Sequence, residues 1–161
     1  MNETAQVGPN SVVSFREITE ETLLAVCMLS TTLPEPQRRM VATNSMSIAQ
    51  AHFNPHAWFR AIYADETPVG FIMLYDNPET PRYYLWRFMI GSAYQKFGFG
   101  KQAIALLIEH VKTRPGAEEL LLSCGEGEGS PEGFYKKMGF ERTGEIVDGE
   151  VEMGLKLKRA G

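Results

Sequence analysis

The amino-acid sequence predicts a single α/β or α+β domain, on three observations. Three β-rich runs follow one another with turn chemistry between them, a strand–helix–strand unit occupies the middle of the chain, and a two-residue hairpin signal lies near its end. Length agrees, because 161 residues lie within the usual range for one domain. No repeat of 20 to 50 residues and no linker between zones of different composition is visible. We expect a flexible N-terminal tail over residues 1–11, where MNETAQVGPNS lacks apolar periodicity, and one folded domain over 12–161.

VVSFREI at 12–18 reads as a first strand. Thr19 then suits a helix N-cap, with Glu20 and Glu21 favourably placed in the first turn of a helix that runs through LLAVCML. After the turn at Pro34 and Pro36, QRRMVATNSMSIAQAH reads as one further helix, with Met40, Val41 and Ile48 as its apolar positions. From Trp58 the period changes. WFRAIYA, VGFIMLY and RYYLWRFMI, separated by DETP and DNPETP, predict an antiparallel meander. A glycine-bearing segment then leads into a helix that continues to about Arg114, stopped by Pro115 and Gly116, and ELLLSC follows as a strand. In SPEGFYKKMGF, Ser130 serves as N-cap, Pro131 as first helical residue and Gly139 as the stop. Asp148-Gly149 between TGEIV and EVEMGLKLK is a hairpin signal.

Composition narrows the function. Sixteen Lys and Arg against twenty Asp and Glu give a formal charge of −4, which opposes wrapping nucleic acid and suits a cationic ligand better. No apolar stretch is long enough for a membrane span, and the N-terminus has no leader-like pattern, so no membrane partner is expected. Cys27 and Cys124 read as free thiols of a cytoplasmic protein, since no Cys-x-x-Cys pair is present. His52 and His56 have metal-ligand spacing, but Pro55 interrupts any shared helical face, and no metal is expected.

The glycine pair raises the sharpest question. Gly98-Phe99-Gly100-Lys101-Gln102-Ala103 satisfies the permissive dinucleotide fingerprint, yet GSAYQKF separates Ile90 from Gly98, where that fold needs a glycine directly after its strand. The Walker pattern fails because Gln95 stands five before Gly100 and Gln102 follows Lys101. What remains is glycines at the first turn of a helix, either a cradle for an anionic group or a turn chosen for its φ angles. For a phosphate-bearing ligand, Gln95, Lys96 and Lys101 would add hydrogen bonds or positive charge.

Gln95-x-x-Gly98-x-Gly100 after an apolar strand resembles the acetyl-CoA motif of the GNAT acetyltransferase superfamily. Longer stretches extend the likeness: SIAQA at 47–51, YYLWRFMI at 83–90, FYKKMGF at 134–140 and TGEIVDGE at 143–150 are similar to its diamine and polyamine (spermidine or spermine) members. The resemblance implies a mixed, mostly antiparallel twisted sheet of six to seven strands flanked by about four helices, with acetyl-CoA as co-substrate. It also implies that Phe88, Met89 and Ile90 offer their backbone to the pantetheine arm and acetyl carbonyl. Gln95, Lys96, Phe97, Gly98, Phe99, Gly100 and Lys101 would wrap the diphosphate, and Tyr135 would be the acid facing the sulfur. A family habit of pairing, together with the apolar C-terminal hairpin, suggests a homodimer.

Acetyl transfer to an amine needs a neutral nucleophile, a stabilised oxyanion and a proton for the departing thiolate. A phenol near ~10 lies about 2 kcal/mol above a thiol near ~8.5, a deficit that concerted transfer can carry. A main-chain N–H around Met89 is the implied oxyanion donor, and the general base is left open. Trp86 stands where polyamine-acetylating relatives often carry an acid, and reads either as a cation–π partner for an ammonium or as a core aromatic. Glu128 stands where many relatives have an asparagine. Glu126 and Glu128 read either as an acidic lip that draws a cationic substrate or as a solvated loop. The leading expectation is an N-acetyltransferase for a small diamine or polyamine. An idle acyl-CoA sensor, an enzyme for an aminoglycoside or peptide N-terminus, and a nicotinamide oxidoreductase are the rivals.

Overall fold

Among the described residues, seven strands form one sheet in the order β1-β2-β3-β4-β5-β7-β6. The computed structural model describes residues 6–158. Strands β1 (Val13–Arg16), β2 (Ala57–Ala64), β3 (Thr67–Tyr75) and β4 (Arg82–Ile90) pair antiparallel in sequence order, the meander read from the β-rich runs. β4 and β5 (Glu119–Cys124) pair parallel, joined by the crossover helix α4 (Phe99–Lys112). The hairpin of β6 (Glu141–Val147) and β7 (Glu150–Lys156) completes the sheet, with β7 beside β5. Its turn holds Asp148 and Gly149 at φ 49° and 80°, the left-handed pair that a two-residue hairpin requires.

Helices cover both faces. On one, Phe99, Ala103, Leu107 and Val111 recur every four residues along α4 and are fully buried against Ile62, Ile72, Tyr83 and Leu120. On the other, Val26 and Leu29 of α1 (Glu20–Thr31), with Ala51 of α3 (Asn44–His52), bury Ala61, Phe71 and Met73. Thr19 is the N-cap of α1, and its amide donates to Thr22 Oγ1 at 2.9 Å.

Of the expected tail, residues 1–5 lie outside the described residues. Gly8–Ser11 form a turn closed by the Ser11 amide on the Gly8 carbonyl, and Ser11 is buried. Gln102 of α4 holds this segment, accepting from the Val13 amide and donating to the Ser11 carbonyl.

The single helix expected over QRRMVATNSMSIAQAH is two. α2 (Glu35–Arg38) ends early, and α3 begins afresh at Asn44 with Thr43 as N-cap, whose Oγ1 accepts from the Met46 amide at 3.2 Å. Asn44 fixes the break from inside. It is 1% exposed, its side chain donates to the Val26 carbonyl, and its amide donates to Ser30 Oγ. Met40 and Val41 are therefore not helical core positions but part of an irregular strap across the open side of the sheet.

Candidate active site

The sheet opens at one place. β4 pairs with β5 only from Arg82 opposite Glu119 to Leu85 opposite Leu122, and beyond that point β4 has β3 alone while β5 has β7 alone. The cause lies partly in β4 itself. Met73 faces Arg87 and Leu74 faces Leu85, so Trp86 is an extra residue, a bulge that bends the strand as the split begins.

Past the bulge, the main chain of β4 is divided between its two sides. The Gly91 amide donates to the Val69 carbonyl at 2.8 Å, in the register that sets Met89 opposite Phe71. Antiparallel ladders bond every second residue, so the Met89 amide is turned toward β3 and those of Phe88 and Ile90 toward the split. Gln95 Nε2 donates to the Ile90 carbonyl at 2.9 Å, in agreement. Of the amides around Met89, its own is thus taken up by β3, and those of its two neighbours are the ones that face the split.

A cavity of about 590 Å³ fills the split on the α4 side and brings together Phe88, Met89, Ile90, Gln95, Gly98, Gly100, Lys101 and Tyr135. Gly98 precedes α4 at φ 81°, a conformation that favours glycine. The amides of Phe99, Gly100 and Lys101 lie in the first helical turn, where no carbonyl of the helix reaches them, and the helix dipole favours an anion there. A Cβ on Gly100 would point at the Phe134 and Phe88 rings, 3.5 and 3.6 Å away, and so into the cavity. These features fit a diphosphate followed by a narrow acyl arm. Three residues of the expected cradle contribute differently: Phe99 is fully buried in the core, Phe97 packs beside it, and Lys96 is exposed and outside the cavity lining.

Tyr135 sits on α5 (Glu132–Lys137), against Phe134 and Phe140 and 6% exposed. Burial, followed by the neighbouring Cys124 thiol, holds its phenol well above the ordinary tyrosine value. The hydroxyl therefore stays protonated. Arg142 of β6 fastens this helix, its guanidinium gripping both Glu132 oxygens at 2.6 and 2.7 Å and Glu126 at 2.9 Å. Glu126 is thereby committed to an arginine, and Glu128 lies exposed outside the lining of either cavity.

A second cavity, of about 1020 Å³, occupies the other face of β5 and includes Trp86. Strand alternation builds this division: Leu120, Leu122 and Cys124 face α4, while Leu121 and Ser123 face the second cavity. Met40, Val41 and Ser123 line both cavities and mark the throat between them. The strap that carries Met40 and Val41 is latched down at Gln37, whose side-chain oxygen accepts from Gln95 at 2.7 Å. It is also closely packed, since a Cβ on Gly125 would meet Met40 Sδ at 2.7 Å and one on Gly129 would meet the Pro36 main chain at 2.7 Å.

Sequence reading passed over most of this second cavity. Tyr84, Arg87, Ser123, Asp148 and Glu150 all line it. The alternation of Glu150 and Glu152 with Val151 and Met153 was legible, but a strand facing solvent carries the same pattern.

Residues 21–140 match the model described as the Acetyltransferase (GNAT) family, and the chain belongs to that family. It is an acetyl-CoA-dependent N-acetyltransferase of GNAT fold. Among solved structures, an acetyltransferase from Thermus thermophilus superposes with a TM-score of 0.73 at 14% identity, over 91% of this chain and 97% of that one. PaiA N-acetyltransferase from Thermoplasma acidophilum, in complex with coenzyme A, gives 0.63 at 20% identity, over 90% and 99%. The ribosomal-protein-S18-alanine N-acetyltransferase from Escherichia coli gives 0.65 at 16% identity, over 93% and 97%. No curated protein matches the sequence. Among the described residues, no helix is long and apolar enough to cross a membrane and no acid, cysteine or histidine cluster could hold a metal.

Proposed function

We propose that this enzyme acetylates a primary amine of a small molecule, with a diamine or polyamine first among acceptors, by direct attack on the thioester and with Tyr135 as general acid. The observation that carries the reading is the split between β4 and β5, with a cavity on each side and a shared throat. Acetyl-CoA, when bound, supplies an activated acyl group and a thiolate leaving group. The smaller cavity suits it, with bare amides at the start of α4 and Lys101 for the diphosphate, and the Phe88 and Ile90 main chain along the acyl arm. The amine enters from the larger cavity.

At the throat, a free N–H of Phe88 or Ile90 is available to the developing oxyanion. Tyr135 donates its proton to the sulfur. Its raised phenol does not spoil the match, because a thiol in the same surroundings is raised too: burial pushes up the Cys124 thiol beside it. Asp148, Glu150 and Glu152 supply carboxylates for a cationic acceptor in the larger cavity, set against Arg39, Arg82 and Arg87 in the same lining. Trp86 on the same wall offers a cation–π face, although Arg87 already stands 5.6 Å from that ring.

The test is release of free CoA thiol against a panel of diamines, polyamines, an aminoglycoside and a peptide N-terminus. Turnover is expected with the first two. Silence there with turnover of the peptide would replace the acceptor, and CoA binding without turnover of any amine would establish the idle sensor.

A further inference from the structure

The amine must lose a proton before it attacks, and the sequence left the base unassigned. Three carboxylates line the larger cavity, and their surroundings separate them. Glu152 is occupied, accepting from Thr143 Oγ1 at 2.9 Å and lying 3.6 Å from Arg82. Asp148 sits in the hairpin turn. Glu150 reaches the throat: its Oε1 accepts from Ser123 Oγ at 3.2 Å, and Ser123 lines both cavities. Its Oε2 lies 3.9 Å from where a Cβ on Gly125 would stand, a position 2.7 Å from Met40 Sδ, and Met40 is part of the same throat.

From these contacts we infer that Glu150 receives the proton of the acceptor ammonium at the throat, directly or through the Ser123 hydroxyl, and so is a catalytic residue of the transfer. The assignment rests on the acetyl-transfer reading above. The groups facing Glu150 are Ser123 and Cys124 of β5, Tyr84 and Arg87 of β4, and Asp148 of its own hairpin. Tyr84 sits with its hydroxyl buried and without a hydrogen-bond partner among the described residues, beside Ser123. Arg87 places a positive charge on the same cavity wall.

The proton balance is complete. The ammonium gives one proton to Glu150, and the neutral amine attacks the acyl carbon. As the C–S bond breaks, the sulfur takes the Tyr135 proton, and the second proton of the new C–N centre restores the phenol. An alkylammonium holds its proton about six pK units more tightly than an ordinary carboxylic acid. The proton on Glu150 is accordingly passed to water in the open cavity, and one proton leaves per turnover.

A base is needed only when the acceptor arrives protonated, which sets the test. Wild type and Glu150→Gln are compared at pH 8 with two acceptors, an ordinary alkylamine and a fluorinated alkylamine already neutral at that pH. Glu150→Asp and CoA calorimetry serve as controls for folding. The expected result is a kcat about 100-fold lower for Glu150→Gln with the alkylamine, within the range for lost general base catalysis. With the neutral amine the defect is a few-fold, Glu150→Asp recovers part of kcat, and CoA affinity is unchanged throughout. A defect equal for both amines, or one confined to KM, overturns the assignment while leaving acetyl transfer intact. A wild type that binds CoA but acetylates neither amine overturns acetyl transfer and this assignment with it.

Discussion

Ser123 and Cys124 are adjacent on β5 and serve opposite sides of the sheet. Cys124 turns toward Tyr135 and α4, in a pocket of aromatic rings and helical amides. Ser123 turns toward Glu150, in a larger cavity whose lining carries Arg39, Arg82 and Arg87 against Asp148, Glu150 and Glu152. In a continuous sheet these surroundings would be sealed from each other by the next strand. Because β4 leaves β5 after Leu85, the two cavities share a throat, where in the proposed reaction a thioester from one side meets an amine from the other. In the proposed reaction the α4 side binds and protonates, and the other side recognises and deprotonates.

That division makes its largest prediction at Tyr135. Tyr135→Phe keeps the ring that packs against Phe134 and Phe140 and removes only the hydroxyl. We expect kcat to fall about 10²- to 10⁴-fold while the CoA dissociation constant, measured by calorimetry, changes less than about threefold, an energy below ~0.7 kcal/mol. A parallel loss of affinity would assign the hydroxyl to cofactor binding and blur the contrast between holding and reacting.

A smaller effect sharpens the same contrast at Gly100. A Cβ there meets rings at ordinary van der Waals distance and no backbone, so the protein alone tolerates alanine. Gly100→Ala should stabilise the helix by up to ~1 kcal/mol, read as a raised Tm. It should also weaken CoA binding about tenfold, or ~1.4 kcal/mol. A raised Tm with unchanged CoA affinity would reduce the glycine to a turn residue.

The α4 side was legible in sequence because local rules write it. Its strand, glycines and helices fall within Arg82–Lys137, where period, turn chemistry and caps each act over a few residues, while Tyr135 was singled out by the family resemblance. The other side is assembled from distant segments. Trp86 bulges only because Met73 and Leu74 choose their partners across a strand pair, and Glu150 meets Ser123 only because β7 inserts between β5 and β6. Met40 and Val41 were read as helix because their apolar spacing was visible, whereas the break depends on Asn44 finding Val26 and Ser30 on α1. Thr43 before Asn44 was a local capping signal for that break, and the apolar spacing obscured it.

The smallest prediction concerns the anchor that keeps Tyr135 on its own side. Arg142 holds Glu132 at the start of α5, and its guanidinium, with help from Lys136, lowers the Glu132 carboxyl from the ordinary 4.5 to about 2. A carboxyl depressed in the folded protein binds fewer protons than in the unfolded chain, so its contribution is complete above about pH 4.5 and is lost as pH falls toward about 2. Arg142→Gln should therefore lower Tm by a constant amount at neutral and weakly acidic pH, and the gap from wild type should close between those two values. Arg142 is exposed to solvent and salt while Glu132 is only partly so, and the shift is therefore small and shrinks as ionic strength rises. A gap that persists unchanged at pH 2 would mean that Arg142 acts through packing on β6 rather than through its charge. The hold on α5 would then have to come from Phe134 and Phe140, the rings on either side of Tyr135.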